Sequence, residues 1–212
     1  MGSIKIWDFW ASKYEGLWVQ KYSLSPTRRE IIKEIRKIIK PSVGYHILDM
    51  GCGTGQLIRE MQEVFKDVPI CYTGVDISPK MIEAARSRDK CGTYINCSVQ
   101  DFSDAKEAYD IVVCSHSFPY YPSKEKVFHK FRGLLKEEGT LLLAQASVNT
   151  VYDMIAMFFV KFTTSSAEYL SLKKIQALAK GSFKLMHIQR IKEKWFMPSI
   201  CLFVFKKDGN GS

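Results

Sequence analysis

The sequence predicts an α/β fold: a three-layer, doubly wound sheet of seven strands, mostly parallel, finished by an antiparallel C-terminal hairpin. Short apolar runs alternate with helical segments along most of the chain, the pattern of a parallel sheet with helices on both faces. A glycine turn, Gly51-Cys52-Gly53-Thr54-Gly55, directly follows the first run. The last two apolar segments, 183–191 and 200–206, are separated by a short connection without a helix, so they must pair antiparallel. At 212 residues with 46% hydrophobic content, the chain suits a single domain, 1–212. Residues 1–44 are expected as an N-terminal helical cap and 148–181 as a lid-like helical insertion.

Taken in order, Ser25-Pro26 opens a helix whose Ile31, Ile35, Ile38 and Ile39 form one apolar stripe ending before Pro41. This helix is expected to pack across the sheet edge. Strand one, ending at Met50, is turned by the glycines into a helix from Gly55 to about Val64. The glycines permit positive φ and carry no Cβ, so a ligand is expected to lie almost on the backbone. It would face the free N–H groups and positive dipole end of that helix. Ile70 to Val75 forms strand two, ending at Asp76, and Ser78-Pro79 caps the next helix. Strand three, about Thr93 to Cys97, leads into Val99-Gln100-Asp101-Phe102, and strand four, Asp110 to Cys114, into Ser115-His116-Ser117-Phe118. Pro122-Ser123 starts a helix with Val127, Phe128, Phe131, Leu134 and Leu135 inward, and Glu138-Gly139 turns it into strand five, Thr140 to Ala146.

Ligand-type residues therefore gather at four strand ends, where open parallel sheets bind their ligands. The third glycine comes one place too early for G-x-G-x-x-G, and no G-x-x-x-x-G-K-[ST] occurs, which argues against dinucleotide and NTPase phosphate loops. Asp49-x-Gly51-x-Gly53-x-Gly55 instead resembles the first motif of the class I S-adenosylmethionine (SAM)-dependent methyltransferases. The resemblance covers Tyr45 to Ser147 and is nearest to the small-molecule, methyltransferase type 11 or ubiquinone/menaquinone C-methyltransferase-like group. It implies a Rossmann-like sheet with SAM as cofactor and S-adenosylhomocysteine as its product. By that resemblance Asp49, Gly51, Cys52, Gly53 and Gly55 hold the methionine and sugar part. Asp76, 21 residues beyond Gly55, accepts from the ribose hydroxyls, a task suited to a carboxylate, with Ile77 and Met81 beside it. Gln100, Asp101 and Phe102 form the adenine site, the acid taking the amino group and an apolar side chain covering the ring; Cys114 and Ser115 complete the set.

For the acceptor, several readings stay open. Methyl transfer from a sulfonium is an in-line displacement, so the protein mainly aligns the nucleophile and excludes water; no metal is expected. Candidate walls are Trp7 to Glu15 with Trp10, and beyond it Trp18; the loop Ser115 to Tyr121 with Tyr120 and Tyr121; and the insertion with Met154 and Phe158. The first resembles the F-x-x-x-A-x-x-Y-D element with which many relatives close the cofactor pocket, with Glu15 in place of Asp. Tyr14 is its best-matched residue and joins His116 as a catalytic candidate. His116 follows strand four, and histidine titrates near neutrality; a pocket-lining or structural role is the alternative. The aromatic residues read as acceptor walls or as packing, and residues 151–162 as a lid, an interfacial helix or a core helix.

The net charge of +9 lies in the flanks: residues 51–150 carry 12 basic and 13 acidic side chains, 1–50 carry 9 and 5, and 151–212 carry 10 and 4. Basic residues interleave with glutamates, as on solvated faces; an acidic acceptor, weak contact with an anionic membrane surface, or RNA are the other readings. Six cysteines occur singly without metal-type spacing, so reduced thiols and a cytoplasmic location are expected. The longest apolar run, Met154 to Val160, falls far below the roughly 18 residues of a membrane span. No signal peptide or myristoylation motif is read at the N-terminus. The sequence thus points to a SAM-dependent methyltransferase for a small, partly apolar or aromatic molecule. One alternative is an RNA or tRNA methyltransferase, against which stand the missing N-P-P-Y type motif after strand four and the missing Pro-Cys nucleophile. The other is a non-catalytic SAM-binding protein. The oligomeric state is not legible.

Overall fold

The computed structural model describes residues 2–16, 20–104, 106–146, 167–192 and 200–208. Trp18, Met154 and Phe158, expected at the acceptor, lie outside them, as does 148–166 of the insertion. The strands are β1 (Tyr45–Met50), β2 (Ile70–Asp76), β3 (Thr93–Asn96), β4 (Tyr109–Ser115), β5 (Leu135–Ala146), β6 (Phe183–Ile191) and β7 (Ile200–Lys207). They form one sheet in the order β3-β2-β1-β4-β5-β7-β6. β1 to β5 are parallel, and β7 runs antiparallel to both β5 and β6, as the hairpin argument requires.

Alternation of side chains along each strand divides the core into two layers. Leu142 and Ala144 of β5 share one layer with α2 (Ser25–Ile38), α3 (Gln56–Val64) and α4 (Pro79–Arg88). Leu141 and Leu143 share the other with α5 (Lys124–Leu134) and α6 (Leu172–Ala179). That second layer is rich in phenylalanine: Phe128 meets Phe118, Phe183 and Phe205 with ring centroids 5.3, 5.9 and 6.0 Å apart, in the tilted or edge-on arrangements that ring quadrupoles favour. A short α1 (Gly2–Trp10) precedes all of these.

Some local expectations hold and others change. α2 packs on β6 and β7, the last two strands at one edge of the sheet, with Ile31 and Ile35, one turn apart, fully buried. Ser25 does not cap it, because a single wide turn at Gln20–Leu24 runs straight into the helix. Ser78 does cap α4, its Oγ accepting from Met81 N at 3.2 Å. Within the expected insertion, α6 buries Ile175 and Ala179 in the second core layer. Among the described residues no helix is long and apolar enough to cross a membrane.

Candidate active site

The ends of β1 and β2 are tied together by the glycine turn. Gly51 N and Cys52 N both donate to Val75 O, at 2.7 and 3.0 Å. Gly51, Gly53 and Gly55 have φ of 84°, 53° and 74°, a region costing other residues roughly 1–2 kcal/mol. Only one of their bare faces is open. A Cβ on Gly51 would collide with Ser117 and stand 2.8 Å from Tyr121 Oη; one on Gly55 would stand 2.6 Å from Tyr94 Oη; on Gly53 the nearest atom is Tyr14 Cε1 at 3.8 Å. Close approach by a ligand is thus narrowed to Gly53, since side chains of the protein fill the other two spaces. Cys52 turns its thiol into the core beside Gly74, leaving its backbone at the turn. α3 starts immediately after Gly55 with no side chain capping its first N–H groups, which keeps them available to a ligand.

Asp76 joins this turn to α4, Oδ2 accepting from Gly53 N and Oδ1 from Ser78 N, both at 2.9 Å. Each carboxylate oxygen has a further lone pair for a hydroxyl. Asp49 is 2% exposed and its Oδ1 has no partner. Burial, then the charge of Asp76, pushes its carboxyl up to about 7, with Arg28 pulling downward. Gln56 Oε1, at the first position of α3, is also buried without a partner. Two orphan acceptors around an open glycine suit a cationic group, because a buried charge or acceptor is costly until it is paired; the methionine end of SAM, with its ammonium and sulfonium, fits. At the rim, Ile77 is 40% exposed, and exposed Asp101 accepts from Ser98 Oγ at 2.7 Å. Gln100 is exposed, its carbonyl accepting from Lys130 Nζ at 2.7 Å. The side chains of Phe102, Cys114 and Met81, expected at the cofactor, are buried within the protein. Phe102 and Cys114 belong to the second core layer, where their turn and strand positions point them inward. Half-buried Ser115 remains at the strand end.

The N-terminal segment closes the open face of Gly53. Asp8 Oδ1 accepts from Ser78 Oγ at 2.6 Å. Glu15 Oε1 accepts from Thr54 Oγ1, Arg59 Nη2 and Arg88 Nη1 at 2.7, 2.7 and 2.8 Å. Burial works to raise the Glu15 carboxyl, but the bonds from Thr54 and Arg59 hold it below its ordinary value. Tyr14 lies between these two latches. Burial first, and Asp76 next, raises its hydroxyl well above the ordinary phenol range, so it remains protonated at neutral pH. Behind it, Gln20 Nε2 donates to Tyr14 O at 3.1 Å, and Arg28 donates to Gln20 Oε1 at 2.9 Å and Glu60 Oε1 at 2.8 Å.

On the acceptor side, Trp7 stands edge-on to Tyr120 with centroids 5.2 Å apart, and Tyr120 Oη lies 3.4 Å from Tyr169 Oη. Trp10, the expected wall, instead packs edge-on against Phe9, 5.2 Å between centroids. Tyr121, another expected wall, has its Oη 3.1 Å from Met50 O and 2.9 Å from Ser117 Oγ, anchored below Gly51. His116 does not titrate near neutrality. Burial, with a smaller effect from Arg28, lowers it to about 4. Its Nε2 is 3.0 Å from Thr27 Oγ1, whose hydroxyl donates to Ser23 O at 2.8 Å; the shared contact therefore requires the proton on Nε2. Arg28, Gln20 and Tyr169 were missed by sequence reasoning, and no periodic pattern marks them. Tyr169 arrives through Glu168 N donating to Pro119 O at 2.8 Å.

Comparison with known proteins agrees with this geometry. The profile of the family described as "Methyltransferase domain" matches residues 25–195. A malonyl-[acyl-carrier protein] O-methyltransferase of Anoxybacillus flavithermus is 26% identical over 126 residues, 58% of this chain and 47% of the relative. A demethylmenaquinone methyltransferase of Thermotoga maritima is 24% identical over 144 residues, 68% of this chain and 61% of the relative. The chain spans about half the length of these curated relatives. Among solved structures, a SAM-dependent methyltransferase of Thermotoga maritima shares the fold with a TM-score of 0.73 at 15% identity, covering 96% of this chain and 99% of that one. With the glycine turn, the β2 acid and strands β1 to β6 inside the matched span, the chain belongs to the methyltransferase domain family in its class I, SAM-dependent form.

Proposed function

We propose that this chain transfers the methyl group of SAM to a small, partly apolar or aromatic molecule by in-line displacement. The observation that carries this is the buried, unpartnered Oδ1 of Asp49 at the start of a turn whose open glycine lies under Tyr14. SAM, when bound, supplies an electrophilic methyl on a cationic sulfur that leaves as a neutral thioether. Asp49 and Gln56 take its amino-acid end, Asp76 its ribose hydroxyls, and Ile77 and Asp101 its adenine, while Gly53 allows close approach. Tyr14 and Trp7 exclude water, and Trp7, Tyr120 and Tyr169 offer an aromatic wall to the acceptor. Neutral His116 braces the loop after β4 through Thr27 and takes no role as a base. Residues 1–44 act as the N-terminal cap of a single domain. The two relatives act by name on malonyl-[acyl-carrier protein] and demethylmenaquinone, so family membership leaves the acceptor open and the aromatic wall is what favours an apolar one.

Calorimetric titration with SAM, S-adenosylhomocysteine and NAD tests the cofactor half. Both sulfur ligands should bind and NAD should not, and Asp76→Ala should lose roughly 1.5–3 kcal/mol of binding; preference for NAD, or no binding, overturns it. For the acceptor half, methyl-labelled SAM is incubated with a fractionated cell extract. Label in apolar small molecules supports the proposal, and label confined to RNA replaces it with the nucleic-acid alternative.

A further inference from the structure

A single ring occupies the space left by glycines from three separate places in the chain. A Cβ on Gly55 would stand 2.6 Å from Tyr94 Oη and 2.8 Å from its Cε1, one on Gly74 of β2 2.8 Å from its Cδ1, and one on Gly92 3.0 Å from its Cε2. Tyr94 is 4% exposed, and its hydroxyl donates to Asp89 Oδ2 at 2.7 Å. Asp89 in turn accepts from Gln62 Nε2 of α3 at 3.0 Å and from the backbone N–H groups of Cys91 and Gly92 at 2.8 and 3.2 Å. The Tyr94 carbonyl accepts from Arg86 of α4, at 3.2 Å from Nε and 2.6 Å from Nη2. The ring is therefore fixed at both ends, by α4 at its backbone and by the Asp89 cluster at its tip, and Gly55 rests upon it. Gly55 is also the residue from which α3 departs, at φ 74°.

We propose that Tyr94 is a positioning residue for cofactor binding: a rigid spacer, braced by Asp89, that sets where Gly55 and the uncapped first turn of α3 present their N–H groups. It rests on the cofactor reading given above. It assigns the third glycine of the turn a different reason from the second: Gly53 is bare because its face is open toward the ligand, whereas Gly55 is bare because Tyr94 fills the place of its side chain. Tyr94 itself touches no reacting atom.

The two glycines make the idea separable by a double-mutant cycle, since direct neighbours should couple and unconnected sites should not. S-adenosylhomocysteine affinity is measured for Gly55→Ala and Gly53→Ala, each in the wild-type and Tyr94→Leu backgrounds. The loss caused by Gly55→Ala should shrink by roughly tenfold or more once the ring is gone, while the loss caused by Gly53→Ala should stay the same. Tyr94→Phe, which keeps the ring and removes only its bond to Asp89, should weaken binding by about three- to tenfold. Hydrogen exchange on the unliganded protein provides a readout independent of the cofactor. In Tyr94→Phe, amides of residues 53–57 should exchange faster while those of β4 and β5 keep their protection. Equal Gly55→Ala losses in both backgrounds, or unchanged exchange at 53–57, overturns the proposal. If the wild type fails to bind S-adenosylhomocysteine, the cofactor reading is what fails, and the exchange result still decides whether Tyr94 sets the turn.

Discussion

Asp49 and Gln145 are both buried polar side chains without adequate partners, and they call for opposite outcomes. The Asp49 carboxyl, ordinarily at 3.8, is pushed up to about 7. The folded chain then holds this proton more tightly than the unfolded chain does, so the stabilising contribution is complete below the ordinary value and is lost as pH rises through 7. A cationic ligand reverses the preference by favouring the carboxylate. SAM affinity is therefore expected to climb between about pH 6 and 8 with release of a proton, and Asp49→Asn should weaken binding and remove that release. Calorimetry in two buffers of different ionisation enthalpy measures it; equal proton counts for the two proteins would contradict the assignment. Gln145 lies on β5 with no exposure and with both amide atoms unpartnered. Each orphan costs roughly 1–3 kcal/mol, so Gln145→Met, of similar volume, should raise the melting midpoint by about 4–8 °C at the low end of that range. A fall in the midpoint would mean that buried water satisfies the amide.

At the scale of elements, what was legible from sequence followed local chemistry. Ser78 and Pro79 open α4 because a hydroxyl can accept from an N–H three residues on and proline suits the first turn. The glycine turn read correctly in backbone conformation but only partly in purpose, because the occupants of the spaces at Gly51 and Gly55, Tyr121 and Tyr94, are distant in sequence. The same distance hid the latch at Glu15, whose partners lie 39, 44 and 73 residues away. The burial of Phe102 and Cys114 was not legible either, because a position next to a strand end says where the backbone is, whereas the pleat decides which way a side chain faces. The latch makes a kinetic prediction. Glu15→Gln keeps the length of the side chain but removes the charge that holds Arg59 and Arg88, both partly exposed, so global stability should change by less than about 1 kcal/mol. S-adenosylhomocysteine should nevertheless dissociate about three- to tenfold faster in stopped-flow displacement; an unchanged off-rate would show that the segment does not hold the ligand.

Across the whole molecule, the number and direction of the strands were the most legible features, since alternation of apolar runs and helices restricts the sheet to few arrangements. Part of the basic charge of the flanks is paired, Lys33 with Glu30 and Lys37 with Glu34 along α2, as interleaving with glutamates suggested, and Lys207 with Glu107 from the middle of the chain. The outer strand β6 carries a register shift between Leu185 and His187, and exposed Lys184 and Arg190, features that discourage another strand from adding to the edge. One contact spans the two halves of the site: Trp7 belongs to the segment latched over the cofactor turn and also stands against Tyr120 on the acceptor side. On the proposed function, exchange of the cofactor parts those rings and needs the acceptor side empty. Substrates should therefore arrive in a compulsory sequence, SAM first, with its spent form leaving last. Departure rather than transfer should then limit steady turnover, and the first cycle should appear as a rapid burst of methylated product.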